Sequence, residues 1–239
     1  MVRNEPITAV IPVRGGSKGV PRKNLYRLGG TTLLERSILY AKASPRVDRV
    51  VVSTEDAEMY AVARRHGVEA PTMRPYELAT DEASTIDVVR HLVETVPISR
   101  GYILLLQVTS PLRILDDVEQ LCGILESGDA TAQGVVSLVR HEAPHPDKIQ
   151  SISDGFVRSY LGRESMVSRQ LLPEVYALNG ALYLTHRDVV INQGTLMPKG
   201  MLPYLMPAER SLNLDGPLDF FLLESLLEKG RIELEEYQL

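Results

Sequence analysis

The stretch Thr8-Ala-Val-Ile-Pro-Val-Arg-Gly-Gly-Ser-Lys-Gly-Val-Pro-Arg-Lys-Asn24 decides the fold prediction for the whole chain. Residues 8–13 form a short apolar run rich in β-branched side chains, which is typical of a buried parallel strand. The run passes directly into a loop with glycines and cations: Gly15, Gly16, Gly19, Arg14, Lys18, Arg22 and Lys23. α/β proteins hold polyphosphates with such a strand and loop, whereas the alternative is a surface loop that is merely basic. The coincidence of apolar strand, glycines and cations favours a phosphate site.

Neither of the two common phosphate-loop motifs fits this loop. The P-loop requires lysine after its second glycine, but Gly19 is followed by Val20. The dinucleotide fingerprint G-x-G-x-x-G is absent, and Pro21 falls where the helix of that motif would already be running. The loop is therefore predicted to stay extended over its ligand, with side-chain cations doing much of the binding.

Bulk composition narrows the class of protein. The 239 residues can form one generous α/β domain, and 44% hydrophobic with 24% charged residues is ordinary for a globular protein. A net charge of −5 argues against a nucleic-acid partner. The single Cys122 allows no internal disulfide, which fits a reducing compartment. No run approaches transmembrane length and the first residues lack an apolar signal core, so we expect a cytoplasmic protein without a membrane contact.

Strand and helix patterns alternate along most of the chain, which predicts a doubly wound, mainly parallel sheet. The predicted helices are 33–43, 55–66, 85–96, 115–127 and 217–229. The further predicted strands are 49–53, 68–69, 102–107, 134–139, 179–185 and an edge strand at 201–206. Residues 140–173 interrupt the pattern with a polar, proline-rich segment and short alternating runs around a turn at 153–155. They are predicted to form an excursion with a β-ribbon.

Several polar residues follow predicted strands, at the sheet edge where α/β proteins bind ligands. Arg74 precedes a proline and is held extended, while Ser84 is most simply a helix N-cap. The amide of Gln107 either reads a base or ribose or fixes its own loop. Arg113 is assigned to helix-start electrostatics. Alternation places Asn213 and Asp215 on one face of a strand.

The first loop resembles the signature of the CMP-N-acylneuraminate synthetases, the cytidylyltransferases that activate sialic acids. That family carries Arg-Gly-Gly-Ser-Lys and then Pro-x-Lys-Asn after its first strand. Four later segments match in order: Arg74-Pro to Asp81, Gln107-Val-Thr-Ser-Pro-Leu-Arg113, Asn179-Gly-Ala-Leu-Tyr183 and Asn213-Leu-Asp215. Val108 departs from the usual proline. The resemblance implies a three-layer, Rossmann-like nucleotide-sugar transferase fold, with 1–239 as one nucleotidyltransferase domain and 140–173 as a dimerisation excursion.

The resemblance also implies which residues contact each ligand. Catalysis is assigned to Arg14, Lys23 and Asp215. The nucleotide would be bound by Arg14, Gly15, Gly16, Ser17, Lys23, Asn24, Arg74, Ala83, Ser84 and Gln107. The acidic sugar would be bound by Gln107, Lys148, Arg169 and Asn179, with the excursion leaning over the partner's site in a homodimer.

A magnesium ion is the cofactor that the resemblance implies, held at Asp215 and Asn213. The family has two aspartates in this segment, and asparagine at position 213 is the most serious departure from its pattern. Magnesium usually needs only one or two protein carboxylates when a substrate supplies phosphates, so Asp215 can suffice.

The implied reaction joins CTP to a nine-carbon 2-keto sugar acid and releases pyrophosphate. One alternative keeps the fold but uses another base or another acid, such as legionaminic, pseudaminic or an eight-carbon acid. The other alternative is a non-catalytic nucleotide-binding protein, which only Asn213 favours. The sequence identifies no general base.

Overall fold

A six-stranded sheet forms the centre of the computed structural model, which describes residues 1–16, 19–70, 73–163 and 166–237. The strands of these residues are β1 (Ile7–Pro12), β2 (Arg27–Leu28), β3 (Thr31–Thr32), β4 (Arg49–Ser53), β5 (Tyr102–Leu105), β6 (Gly134–His141), β7 (Gln150–Ser153), β8 (Phe156–Ser159), β9 (Val175–His186) and β10 (Met201–Leu205). The α-helices are α1 (Leu33–Ala43), α2 (Ala57–Arg65), α3 (Thr85–Thr95), α4 (Leu115–Ser127), α5 (Arg187–Asn192) and α6 (Pro217–Glu228).

The order of strands across the sheet is β10-β6-β9-β5-β1-β4. β1 pairs in parallel with β4 and β5, and β10 pairs in parallel with β6. β9 is antiparallel to both of its neighbours, so the sheet is mainly parallel, as predicted. The carboxyl ends of β1, β4 and β5 therefore meet at one edge, where β9 contributes its first half.

Helices cover both faces of the sheet because alternate strand residues point to opposite sides. Ile7, Ala9 and Ile11 of β1 pack with the helices α1, α2, α4 and α6. Val10 faces the other side, where it packs with α3 and α5. The predicted three-layer α/β architecture is confirmed. Within the described residues, none of the helices is long and apolar enough to cross a membrane.

The excursion leaves the sheet along β6 and returns along β9. β7 and β8 form a separate two-stranded ribbon, joined by Asp154 and Gly155, both of which have positive φ. Such a two-residue turn matches the twist of a hairpin, and the predicted ribbon is confirmed. Ile152 and Val157 lie directly opposite each other on this ribbon and are 80% and 69% exposed.

Two predictions about local structure are wrong. Residues 68–69 do not form a strand, because only Glu69 bridges to Val51 of β4 before the chain turns away. Asn213 and Asp215 do not lie on a strand either. Their segment bonds outside the sheet, since the Leu214 amide donates to Thr109 O and the Asp215 amide to the carboxylate of Asp219.

Candidate active site

A cleft of about 570 Å³ opens at the edge where β1, β4 and β5 end. It is lined by the loop after β1, by the segment that leads into α3, by the end of the β5 segment and by Asn213 and Asp215. Most of the predicted nucleotide and metal ligands therefore come together, although they are spread from position 14 to position 215. The cleft is large enough for a ligand of nucleotide size.

The loop after β1 is closed on itself and against the segment that carries Asp215. The buried side chain of Asn24 donates to Arg14 O at 3.0 Å, which fixes the width of the loop. A Cβ atom on Gly19 would lie 2.2 Å from Asp215 O, so this close approach requires glycine. Gly16 also lines the cleft and has open space around it. Ser17 and Lys18 lie outside the described residues.

Two of the loop cations face the cleft, and each is paired with an acid. Lys23 Nζ lies 3.0 Å from Asp215 Oδ1, and its side chain is only 13% exposed. Arg14 pairs with Asp81 at 2.8 Å and donates to Thr80 O. These two cations are placed to neutralise a polyphosphate that enters between them.

Arg22 is turned away from the cleft. Its guanidinium pairs with Asp56 and Glu58 at the start of α2, and the hydrogen bond that it donates to the Asp56 carboxylate raises the pKa of Arg22. The expectation that the side chain of Arg22 adds to the phosphate site is therefore not supported by this geometry.

The segment before α3 contributes backbone and one buried arginine to the cleft. Arg74 is 6% exposed, and its guanidinium donates to Val13 O at 2.8 Å and to Glu55 Oε2 at 2.7 Å. Ala83 lines the cleft. The Ser84 hydroxyl instead caps α3, accepting from the Asp87 amide at 3.2 Å and donating to the Asp87 carboxylate. The helix-cap interpretation of Ser84 is confirmed, and its hydroxyl is already used there.

Gln107 lines the cleft, and a buried arginine donates a hydrogen bond to its main-chain carbonyl. Arg113 is fully buried and donates to Gln107 O at 2.9 Å, to Ala181 O at 3.2 Å and to Ser37 Oγ at 2.9 Å. Burial lowers the pKa of Arg113. Its assignment to helix-start electrostatics is wrong, because the side chain points into the core and braces the strand end.

Asn179 is 3% exposed and uses its side chain within the protein. The carbonyl oxygen accepts from Ser137 Oγ at 2.6 Å and from the Ala181 amide at 3.1 Å, while Nδ2 donates to Ser211 Oγ at 3.0 Å. These bonds tie β9 to β6 and to the segment that carries Asp215. The arrangement gives Asn179 a structural role, and the prediction that it contacts a sugar finds no support in it.

Asp215 is the most exposed acid of the cleft, with 69% of its side chain accessible. Its second carboxylate oxygen accepts from Asn213 Nδ2 at 2.6 Å, whereas Asn213 Oδ1 is buried and unpaired among the described residues. No group of three or more His, Cys, Asp or Glu side chains that could hold a metal occurs in the described ranges. One carboxylate and one orphaned amide oxygen fit a magnesium ion only if a ligand's phosphates supply further oxygens.

Of the two excursion cations predicted to bind the sugar, Lys148 does not line the cleft of its own chain. Lys148 belongs to the 3-10 turn Pro146–Lys148, and its ammonium donates to Val167 O. Arg169 begins the 3-10 turn Arg169–Leu171, and its side chain lies outside what the structure describes. Their predicted contact with a sugar remains a prediction.

Sequence reasoning missed Glu55. This acid directly follows Thr54 at the end of the β4 segment, and its carboxylate reaches both Arg74 and the Gly15 amide. The signal was available, because Glu55 follows a buried parallel strand at the same edge as the phosphate loop.

Comparison with known proteins agrees with this site. A family model described as cytidylyltransferase matches residues 8–176. The chain is 30% identical, over 97% of its length, to the N-acylneuraminate cytidylyltransferase of Escherichia coli O18:K1:H7, of which it covers 55%. It is 29% identical, over 93% of its length, to the CMP-N,N'-diacetyllegionaminic acid synthase of Legionella pneumophila, of which it covers 96%. The chain thus spans about half of the first relative and nearly all of the second.

Solved structures agree at the level of the fold. The structure titled CMP:2-keto-3-deoxy-manno-octonic acid synthetase complexed with CTP matches with a TM-score of 0.68, at 18% identity, and covers 94% of this chain and 99% of its own. A 4-diphosphocytidyl-2C-methyl-D-erythritol synthase matches with a TM-score of 0.61. Because the family model spans more than half of the sequence and includes the loop after β1, the chain belongs to the cytidylyltransferase family.

Proposed function

We propose that the protein transfers a cytidylyl group from CTP to an acidic 2-keto sugar of nine carbons and releases pyrophosphate. The observation that carries this proposal is the cleft at the end of β1, where a glycine-rich loop brings together Arg14, paired with Asp81, and Lys23, paired with Asp215. The names of the E. coli and Legionella relatives support an acidic sugar as acceptor.

This reaction depends more on neutralising negative charge than on covalent catalysis by the protein. The anomeric hydroxyl oxygen of the sugar forms a bond to the α-phosphorus, the bond from that phosphorus to the bridging oxygen breaks, and pyrophosphate carries away the electron pair. Arg14 and Lys23 would stabilise the negative charge that grows on the leaving group, because both lie at the cleft and are held by neighbours. The sugar hydroxyl loses its proton to water as its oxygen bonds to phosphorus.

We further propose that magnesium assists at Asp215, with Asn213 beside it. When bound, the ion would neutralise phosphate oxygens. Lys23 pairs with the carboxylate that would bind this ion, so the magnesium ion and the Lys23 ammonium compete for Asp215. The protein should consequently bind magnesium weakly alone and more tightly together with a triphosphate.

One assay tests the activity and separates its alternatives. The protein is incubated with magnesium, with each nucleoside triphosphate in turn, and with sialic, legionaminic, pseudaminic and eight-carbon sugar acids, and pyrophosphate is measured. We expect release only with CTP and a nine-carbon acid. Release with another base or with an eight-carbon acid would select the alternative transferase, and nucleotide binding without any release would select the non-catalytic alternative.

We propose a homodimer built on the excursion. A lone two-stranded ribbon is marginal in water, and the paired side chains of Ile152 and Val157 leave an apolar surface exposed on one face of it. Covering that surface with the same surface of a second copy is the simplest closed arrangement. It would carry Lys148 and Arg169 of one copy towards the cleft of the other.

Mixing two inactive variants tests this arrangement. Arg169→Ala protein and Arg14→Ala protein, unfolded and refolded together, should recover about a quarter of wild-type turnover, since half of the dimers are hybrids with one intact site. Light scattering gives the oligomeric state of each sample. A monomer at assay concentration would overturn the dimer, while a dimer without recovery would show that Arg169 acts within its own chain.

A further inference from the structure

Glu55 links two elements of the cleft that are far apart in sequence. Its Oε1 atom accepts from the Gly15 amide at 2.7 Å, and its Oε2 atom lies 2.7 Å from the guanidinium of Arg74. The same guanidinium donates to Val13 O at 2.8 Å. The carboxylate and the arginine thus form a brace between the phosphate loop and the segment before α3.

The brace is buried and firmly anchored. The side chain of Glu55 is 15% exposed and that of Arg74 is 4% exposed. The next residue, Asp56, accepts from two amides at the start of α2, so helix capping fixes the chain directly after Glu55. The Arg74 amide donates to Thr54 O at 2.8 Å, which holds the other end of the brace to β4.

The charges of the two side chains cancel each other. Arg74 lies at the cleft, but its guanidinium is paired with Glu55 and is aimed at the loop backbone. It can therefore add less positive charge for a triphosphate than Arg14 and Lys23. Its contribution is the position of the backbone next to Arg14, where the chain turns from β1 into the loop.

We propose that Glu55 is a positioning residue that holds the Gly15 end of the phosphate loop in the conformation that accepts a triphosphate. This proposal rests on the proposed function only in taking a nucleoside triphosphate as the ligand. A carboxylate suits both donors at once, whereas the amide of glutamine would turn an N–H₂ group towards one of them.

The test is the affinity for CTP and for CMP of Glu55→Gln, measured by isothermal titration calorimetry. We expect the dissociation constant for CTP to rise about tenfold, which is the scale of one charge-assisted hydrogen bond. The dissociation constant for CMP should change by less than about twofold, because CMP lacks the β- and γ-phosphates that the loop would hold. Removing a negative charge near a triphosphate would by itself tighten binding. Weaker binding of CTP would therefore indicate that the loop is misplaced, and could not be explained by the lost charge.

Two further variants keep the result interpretable. Glu69→Gln removes the same charge from another arginine-paired glutamate, on the bridge to β4, and should bind CTP like the wild type. Glu55→Asp keeps a partner for the buried Arg74, but its side chain is too short to reach both donors. It should therefore weaken CTP binding in the same way, even if Glu55→Gln folds poorly. Thermal melting of all variants shows which are folded.

Unchanged or tighter binding of CTP by both Glu55 variants would overturn the positioning role; tighter binding would mean that Glu55 competes with phosphate for its donors. Equal losses for CTP and CMP would also overturn it, since they indicate general distortion. If the wild type binds CTP but releases no pyrophosphate with any sugar acid, the proposed function fails while the affinities still decide the role of Glu55. A wild type that binds neither nucleotide would overturn both.

Discussion

Lys23→Ala and Arg14→Ala are each expected to lower turnover at least about a hundredfold, the scale of one charge aimed at a transition state. The side chain of Lys23 is only 13% exposed and its Nζ lies 3.0 Å from Asp215, while Arg14 is held by Asp81 and Thr80 O. Both are thus placed before a ligand arrives. The measurement is the initial rate of pyrophosphate release at saturating CTP and sugar acid.

Matched controls separate this effect from general damage. Arg27→Ala and Lys42→Ala remove cations of the same types whose side chains donate to backbone carbonyls away from the cleft, to Gly30 O and His66 O. Both should retain near-normal rates. All four variants should melt close to the wild type, because none of these cations is part of the hydrophobic core. Near-normal pyrophosphate release by both Arg14→Ala and Lys23→Ala would refute the phosphate loop.

Asp215→Ala is expected to abolish detectable turnover. Asp215 is the carboxylate that meets both Lys23 and Asn213 at the cleft, and a magnesium ion bound there would depend on its negative charge. Asn213→Ala should cost much less, because it removes a neutral oxygen. Asn213→Asp adds a negative charge and should lower the magnesium concentration that gives half-maximal turnover.

The measurement is turnover against magnesium concentration at fixed CTP for these variants and for Asp215→Asn. The asparagine variant keeps the shape of Asp215 while it removes the charge, so it should resemble Asp215→Ala if charge matters. Full activity of Asp215→Ala with an unchanged magnesium curve would place the metal elsewhere and would refute the assignment of this segment.

Patterns with a local physical cause were predicted well from the sequence. The bounds of α1, β4 and α4 follow from apolar periodicity and agree with the structure. The phosphate loop could be found because strand, glycines and cations adjoin each other in the chain. Ser84 was identified as a helix cap for the same reason, since its partner lies three residues away.

Features that depend on contacts between distant segments could not be predicted. Arg113 and Asn179 are polar, and only the fold shows that backbone carbonyls and buried hydroxyls satisfy them in the core. The direction of Arg22 depends on acids at the start of α2, which lie more than thirty residues along the chain. The place of Glu55 at the end of the β4 segment can be read from the sequence, but its two contacts appear only when β1 and β4 are side by side.

The way in which the excursion is attached to the sheet affects how such a chain can evolve. His141 at the end of β6 is paired with Val175 at the start of β9, so the whole insertion departs from and returns to neighbouring points of one ladder. The entropic penalty of closing a longer loop grows only with the logarithm of its length, about 0.6 kcal/mol for each doubling. Residues can thus be gained or lost between these two points while the register of the sheet stays the same. The part of the molecule proposed to choose a partner can therefore change in length while the strands that position the cleft keep their register.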